Sequence, residues 1–517
     1  MIPNNLGDLW RDNYISYKNN LAFDNGTESW SYETLENCSN FICAEIEKYG
    51  LGEGDVIGIL HTKQFEQYAA MLACLKMGII YSNIDPNSPL ERFSKILDTC
   101  SPKLIISEKT ISNEVELFLN KKSTQILFIG KFKPSVVKIS EKTNKLLPLS
   151  WDTTAYIMFT SGSTGAPKGV TITHGGLISF INWSKNHFNI DSNDRFAQLS
   201  PMFFDNSVFD FYSCLFSGAC LVPVDDSLMS KPHLITKFVD NLKCTIWFSV
   251  PSLIVYLLST RVLKPSSLKY IRCIIFGGEG FPKSLLKKLF TYFGKTKRLV
   301  NVYGPTEGTC ICSSHDISIS DFDDMLKFAS LGKINPNFKF MIIDENSEAV
   351  DIGEKGELCL MGPNISPGYY NDWEKTHACF VQIPKNNCLN EIMYRTGDIV
   401  FEEDGLLWFS GRVDNQIKHM GYRIELEEIE TVLNSFCEIL QAGVIYYKNR
   451  QEFGHIVAVI QVVTQISELE VRQKLANYLP KYMIPREIIF SLALPKNKNG
   501  KVDRIILLDN YVQSLKK

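Results

Sequence analysis

The chain reads as an α/β protein built on largely parallel sheets, and two observations carry that reading. At 517 residues it exceeds the about 250–300 residues at which a single hydrophobic core stops growing, so at least two domains are expected. Along it, short runs rich in β-branched and aromatic residues alternate with helix-patterned segments, the signature of βα units. The runs are Asp55–Leu60, Lys103–Ser107, Thr245–Ser249, Arg272–Phe276 and Arg298–Val302. The helical patterns are Phe65–Met77, Leu90–Leu97, Ser252–Ser259 and Pro282–Phe293. Ligands in such folds gather where strands end, and Gly277-Gly-Glu279 and Asn301-Val-Tyr-Gly-Pro-Thr-Glu307 both stand at such ends. Past Asp404-Gly405 come a short strand, Leu406–Phe409, and the polar run Gly411–Asn415, which marks a domain boundary. A helix follows, led by Glu425, Glu427 and Glu428, with apolar Ile429, Val432, Leu433, Phe436 and Leu440.

Composition excludes several classes. Apolar residues make up 45%, charged residues 21%, and the formal net charge is −3, which argues against a nucleic-acid partner held by bulk charge. The start, Met1–Trp10, lacks the basic and then apolar pattern of a signal peptide. The apolar run Ala69–Tyr81 is interrupted by Lys76 and falls short of the ~20 residues of a membrane span. A cytoplasmic protein without membrane insertion is expected. The fourteen cysteines are scattered, with no Cys-x-x-Cys pair, and read as buried thiols. The eight histidines and Cys310-x-Cys312 have no zinc-like spacing, so no structural metal is expected.

The densest chemistry lies in Thr160-Ser-Gly-Ser-Thr-Gly-Ala-Pro-Lys-Gly-Val170, directly after apolar Tyr156–Phe159. Glycines let a backbone approach an anion, the hydroxyls of Thr160, Ser161, Ser163 and Thr164 add donors, and Lys168 adds a point charge. A polyphosphate cradle is the functional reading, and a flexible surface loop the plain alternative. A Walker P-loop needs Gly-Lys followed by Ser or Thr; here Gly169 follows Lys168, and Val502 follows Gly500-Lys501.

Beside this loop stand Tyr303–Glu307, Tyr394-Arg-Thr-Gly-Asp398, Gly411–Lys418, Gly421-Tyr-Arg-Ile-Glu425 and Asn499-Gly-Lys-Val-Asp-Arg504. In this order they resemble the adenylate-forming superfamily of acyl-CoA synthetases, luciferases and peptide-synthetase adenylation domains. Ile84-Asp-Pro86, Gly356–Cys359 and Leu479–Pro485 extend the resemblance over nearly the whole chain. It implies a large multi-sheet N-terminal adenylation core (1–411), a hinge (412–415) and a small mobile α+β C-terminal domain (416–517).

It also implies ATP and Mg²⁺ as cofactors and a role for each matched residue. Thr160, Ser161, Gly162, Ser163, Thr164 and Lys168 would hold the phosphates, Glu307 the Mg²⁺, and Thr306 the α-phosphate region. Tyr303 and Phe409 would flank adenine and Asn301 meet its edge, within the binding stretch Asn301, Val302, Tyr303, Gly304, Pro305. Asp398 would accept the ribose hydroxyls and Arg412 reach ribose or phosphate. Lys501 matches the adenylation lysine, and Asp414 the hinge.

Within the superfamily, Phe203-Phe-Asp-Asn-Ser-Val-Phe209 resembles amino-acid activators, whose matching aspartate, here Asp205, pairs with the substrate ammonium. The pocket positions carried over are Asp205, Asn206, Phe209, Phe248, Ile275, Gly277, Val302, Cys310, Ile311 and Lys501, a lining that suits an aliphatic side chain such as that of isoleucine. Leu177–Trp183 and Gln416–Glu430 resemble the free-standing D-alanine carrier-protein ligases, from which Gly277 departs by replacing a cysteine. The expectation is an amino-acid ligase that loads a separate phosphopantetheine-bearing carrier protein. An acyl- or aryl-CoA synthetase and a non-catalytic nucleotide-binding protein are the alternatives.

Overall fold

The computed structural model describes residues 5–108, 111–132, 149–162, 165–229, 231–325, 328–382, 392–448, 454–496 and 502–515. The chain forms two compact units: one of residues 1–86, 99–158 and 169–413, the other of 87–98, 159–168 and 414–517.

The first unit holds three sheets. The largest has nine strands, in the order Lys333–Ile334, Ser313–Asp316, Arg298–Tyr303, Cys273–Gly277, Ile246–Ser249, Arg195–Gln198, Cys220–Pro223, Leu21–Asp24 and Ser29–Ser31. Its six inner strands are parallel, and antiparallel pairs close both edges. Cys273–Gly277 and Ile246–Ser249 are buried throughout, which is why they read as unbroken apolar runs rather than alternating ones. Alternation still sorts their side chains. Phe248, Ile275, Val300 and Val302 join one core, while Trp247, Ile274, Phe276 and Leu299 join the other, with Leu257 and Leu286 from helices Pro251–Ser259 and Lys283–Phe293.

A six-stranded sheet runs Gln125–Phe128, Leu104–Ser107, Val56–Leu60, Ile80–Ile84, Thr154–Thr160 and Lys168–Thr173. Lys168–Thr173 leads straight into helix His174–His187, whose first turn is capped by the Thr173 side chain accepting from the Gly176 amide. The third sheet is antiparallel around the long strand Ile392–Glu403, flanked by Gly356–Met361, Phe380–Gln382 and Leu406–Arg412, with Lys339–Ile343 outermost.

In the second unit, hairpin Gln416–His419/Tyr422–Glu425 precedes helix Leu426–Asn434 and a three-stranded sheet of Ile439–Tyr447, His455–Val462 and Glu487–Phe490. The helix is shorter than its apolar pattern suggests. It stops at Asn434, whose side chain accepts from the Ala442 amide; Phe436 packs in the core beyond its end, and Leu440 lies exposed on the next strand.

The fold is thus a large multi-sheet α/β domain plus a smaller α+β one. Among the described residues the thirteen cysteines are all free thiols, and no helix is long and apolar enough to cross a membrane.

Candidate active site

The Gly/Ser/Thr loop links strands Thr154–Thr160 and Lys168–Thr173, at a strand end as expected. Its tightness explains its glycines. A Cβ on Gly162 would lie 2.0 Å from the Ala166 carbonyl oxygen, and Gly165 takes φ +78°. Thr160 Oγ1 is buried with no hydrogen-bond partner, an unsatisfied polar atom at the start of the loop. Ser163 and Thr164 lie outside the described residues. In the second unit the loop's other groups are engaged: Ser161 Oγ donates to the Arg423 carbonyl at 2.6 Å, and Lys168 Nζ sits 3.4 Å from Glu425 Oε1. The hairpin motif around Gly421–Glu425 therefore supplies partners that spacing alone does not reveal.

The residues of the first unit expected to meet the nucleotide fall on three strands and the turn after one of them. Asp398 and Arg412 are direct cross-strand partners, and Arg412 Nη1 meets Asp398 Oδ1 at 2.5 Å. Tyr303, at the end of Arg298–Tyr303, donates its hydroxyl to Asp398 Oδ2 at 2.5 Å. Burial, and then the Asp398 charge, push the Tyr303 phenol well above its ordinary range, so it remains a donor. Asp398 is thereby oriented from both sides. Asn301 donates Nδ2 to the Ser330 carbonyl at 2.8 Å, which fixes its amide plane. Tyr303 is only 4% exposed, whereas Phe409 is 39% exposed. After Tyr303 the chain doubles back through Gly304, where a Cβ would meet the Cys310 carbonyl oxygen at 2.2 Å, and through Thr309 and Cys310, both at positive φ.

That return places the turn Thr306–Gly308, preceded by Pro305, beside Asp205. Thr306 Oγ1 donates to Asp205 Oδ2 at 2.6 Å, joining two motifs a hundred residues apart in the chain. Asp205 heads the short helix Asn206–Val208, which widens into a π-turn over Phe209–Ser213, a local form common at functional sites. Phe209, one turn after Asp205, enters the same core as Phe248, Ile275, Val302, Cys310 and Ile311. These six are between 0 and 7% exposed. The Phe209 ring lies 5.4 Å from Phe248, 5.5 Å from Phe196 and 5.3 Å from Phe188. A Cβ on Gly277 would lie 2.3 Å from the Val302 carbonyl oxygen, so the strands approach too closely there for any side chain. The lining is packed ring against ring. Burial, with Asp205 beside it, pushes the Cys310 thiol well up.

Two residues escaped the sequence reading. Asp210 is fully enclosed, neither carboxylate oxygen has a hydrogen-bond partner, and burial pushes its pKa well up against the opposing effect of Lys63. Tyr369 donates its hydroxyl to Glu307 Oε1 at 2.8 Å. Neither has a local sequence signal, because the burial of Asp210 and the Glu307 partner of Tyr369 both come from segments distant in the chain.

Glu307, 0% exposed, offers the hard oxygen that Mg²⁺ requires. Among the described residues no three His, Cys, Asp or Glu side chains cluster as a metal cage. A single buried carboxylate fits Mg²⁺, which is bound through one or two carboxylates together with substrate phosphates. Asp414, which takes up the second unit after Val413, accepts from the Gln416 amide at 3.2 Å; Lys501 lies outside the described residues.

Comparison with known proteins identifies the family of the chain. The AMP-binding enzyme family matches residues 12–370, and the AMP-binding enzyme C-terminal domain matches residues 428–501. A D-alanine–D-alanyl carrier protein ligase of Bacillus licheniformis is 33% identical over 500 residues, 94% of this chain and 95% of the relative. The Vibrio cholerae adenylation domain AlmE, solved with glycyl-adenosine-5'-phosphate, shares the fold at TM-score 0.83 and 23% identity, over 99% of this chain and 98% of that one. An o-succinylbenzoate CoA synthetase of Bacillus subtilis does so at TM-score 0.84 and 21% identity, over 98% of both chains. With both family segments matched and a relative above 30% identity over nearly the full length, the chain belongs to the AMP-binding enzymes, the adenylate-forming superfamily.

Proposed function

We propose that the protein activates a small amino acid with ATP and loads it onto the phosphopantetheine thiol of a separate carrier protein. The observation that carries the proposal is Asp205, held by Thr306 at 2.6 Å one turn before Phe209 of the closely packed apolar lining. A carboxylate fixed there suits an α-ammonium group, a contact that a plain fatty or aromatic acid does not need. The packing of Phe209 against Phe248 crowds this lining, which favours a small side chain over the isoleucine-like occupant that composition suggests. The curated Bacillus relative is named for D-alanine and a D-alanyl carrier protein, which supports both the small side chain and the carrier.

In the first half-reaction a carboxylate oxygen of the amino acid attacks the α-phosphorus and the bond to the β-phosphate oxygen breaks, releasing pyrophosphate. Lys168 and the loop hydroxyls hold the leaving phosphates, Asp398 the ribose, and Lys501 the charge developing at phosphorus. Mg²⁺, held by Glu307 when bound, neutralises phosphate charge. In the second, the carrier thiolate attacks the acyl carbon and AMP leaves; a backbone change at Asp414 would serve the exchange between the two steps.

Amino-acid-dependent exchange of pyrophosphate into ATP tests the proposal, with glycine, both alanine enantiomers and β-alanine as first substrates. No exchange with any amino acid sinks it, as does CoA thioester formation from plain acids alone. Lys501→Ala is expected to lose about 10²–10³ in adenylation rate; full retention of activity removes Lys501 from the mechanism.

A further inference from the structure

Glu307 is gripped at both ends by one short segment. Its main-chain carbonyl accepts from the Ser366 amide at 2.8 Å, and its Oε1 accepts from the Tyr369 hydroxyl at 2.8 Å. The segment is itself anchored. The Tyr370 amide donates to the Gly169 carbonyl at 2.7 Å, the Thr171 amide donates to the Gly368 carbonyl at 3.1 Å, and Val170 and Tyr369 form an antiparallel bridge. The Tyr369 amide donates to Thr376 Oγ1 at 2.9 Å, and its ring, 5% exposed, meets Phe380 edge-on at 5.5 Å. Tyr369 thus connects the strand leaving the phosphate loop to the carboxylate that suits a cation.

We propose that Tyr369 is a positioning residue that presents Glu307 to the ATP-bound divalent cation through one oxygen. The phenol donates to Oε1, which would favour contact between a cation and the carboxylate through one oxygen rather than across both. One-oxygen contact suits Mg²⁺, whose near-octahedral shell at 2.0–2.1 Å leaves no room for the narrow bite of a bidentate carboxylate; Ca²⁺ accepts that bite readily. A buried, packed ring also holds the carboxylate rotamer before the nucleotide arrives, so ordering it costs nothing at binding. Partners of this kind, hydrogen-bonded to a ligating carboxylate, change metal affinity about 10–100-fold when removed.

The inference rests on Glu307 as the metal carboxylate, and Tyr369→Phe tests it because only the hydroxyl is lost. Mn²⁺ binding to the full-length protein with α,β-methylene ATP, followed by electron paramagnetic resonance, is expected to weaken about 10–100-fold. Binding of the same nucleotide in EDTA and the thermal midpoint of the free protein are expected to stay unchanged. In a Glu307→Gln background, Tyr369→Phe should add no further loss. Unchanged Mn²⁺ affinity overturns the proposal, as does an equal loss of metal-free nucleotide binding or a fall of several degrees in the midpoint. Unchanged Mn²⁺ binding in Glu307→Gln alone instead removes Glu307 as the metal carboxylate.

Discussion

Truncating Phe209 to alanine is expected to change which amino acid is activated. The ring is fully buried and touches Phe188, Phe196 and Phe248 at centroid distances of 5.3–5.5 Å, so its loss opens a cavity on the Asp205 side of the strands. A Phe→Ala change in a core costs about 3–5 kcal/mol of stability, a sizeable part of the about 5–15 kcal/mol that holds a domain together. The variant is therefore assayed well below its melting midpoint, with folding checked by circular dichroism. In that cavity isoleucine places three carbons more than alanine does, and at about 0.8 kcal/mol per buried carbon they contribute about 2.4 kcal/mol. The kcat/KM ratio of isoleucine to alanine in pyrophosphate exchange should rise about 50-fold. A folded variant with an unchanged ratio would refute the packing argument, as would a wild-type protein that already prefers isoleucine.

Two further perturbations separate the roles of the neighbouring acids. Asp205→Ala leaves both the substrate ammonium and the Thr306 hydroxyl without their partner, and should lower amino-acid kcat/KM by about 2–5 kcal/mol, some 30-fold or more, in pyrophosphate exchange. Indifference would point to a plain carboxylic acid as substrate. For Asp210 the sign follows from burial. Its folded pKa lies well above the ordinary value, so as pH rises from about 4 the unfolded chain sheds the proton first and the folded state is progressively disfavoured. Asp210→Asn removes this titration, so its melting midpoint relative to wild type should climb between pH 5 and 8.5. A flat difference across that range would show that Asp210 does not titrate there.

How far the sequence carries depends on whether a feature is local. The strands Ile246–Ser249 and Cys273–Gly277 were legible because a strand buried on both faces must be apolar at every position. The Gly/Ser/Thr loop was legible as a tight turn because close backbone approach and positive φ demand glycine, as at Gly162 and Gly165. The overrun of the helix to Leu440 arose because the apolar periodicity continues past Asn434, where a side-chain contact to Ala442 ends the helix instead.

The sequence by itself determined the fold class and the family, and supplied the chemical inventory of a candidate site, since each depends on residue types at fixed local spacing. Tertiary structure alone decided how that inventory is used. Thr306 meets Asp205, Tyr303 and Arg412 orient Asp398, and Tyr369 holds Glu307. The packing of the apolar lining was decided in the same way, because Phe209, Phe248 and Ile275 come from elements distant in the chain and join one core only after folding. Pairings and packed volumes of this kind arise from strand order and close approach, which no local pattern encodes.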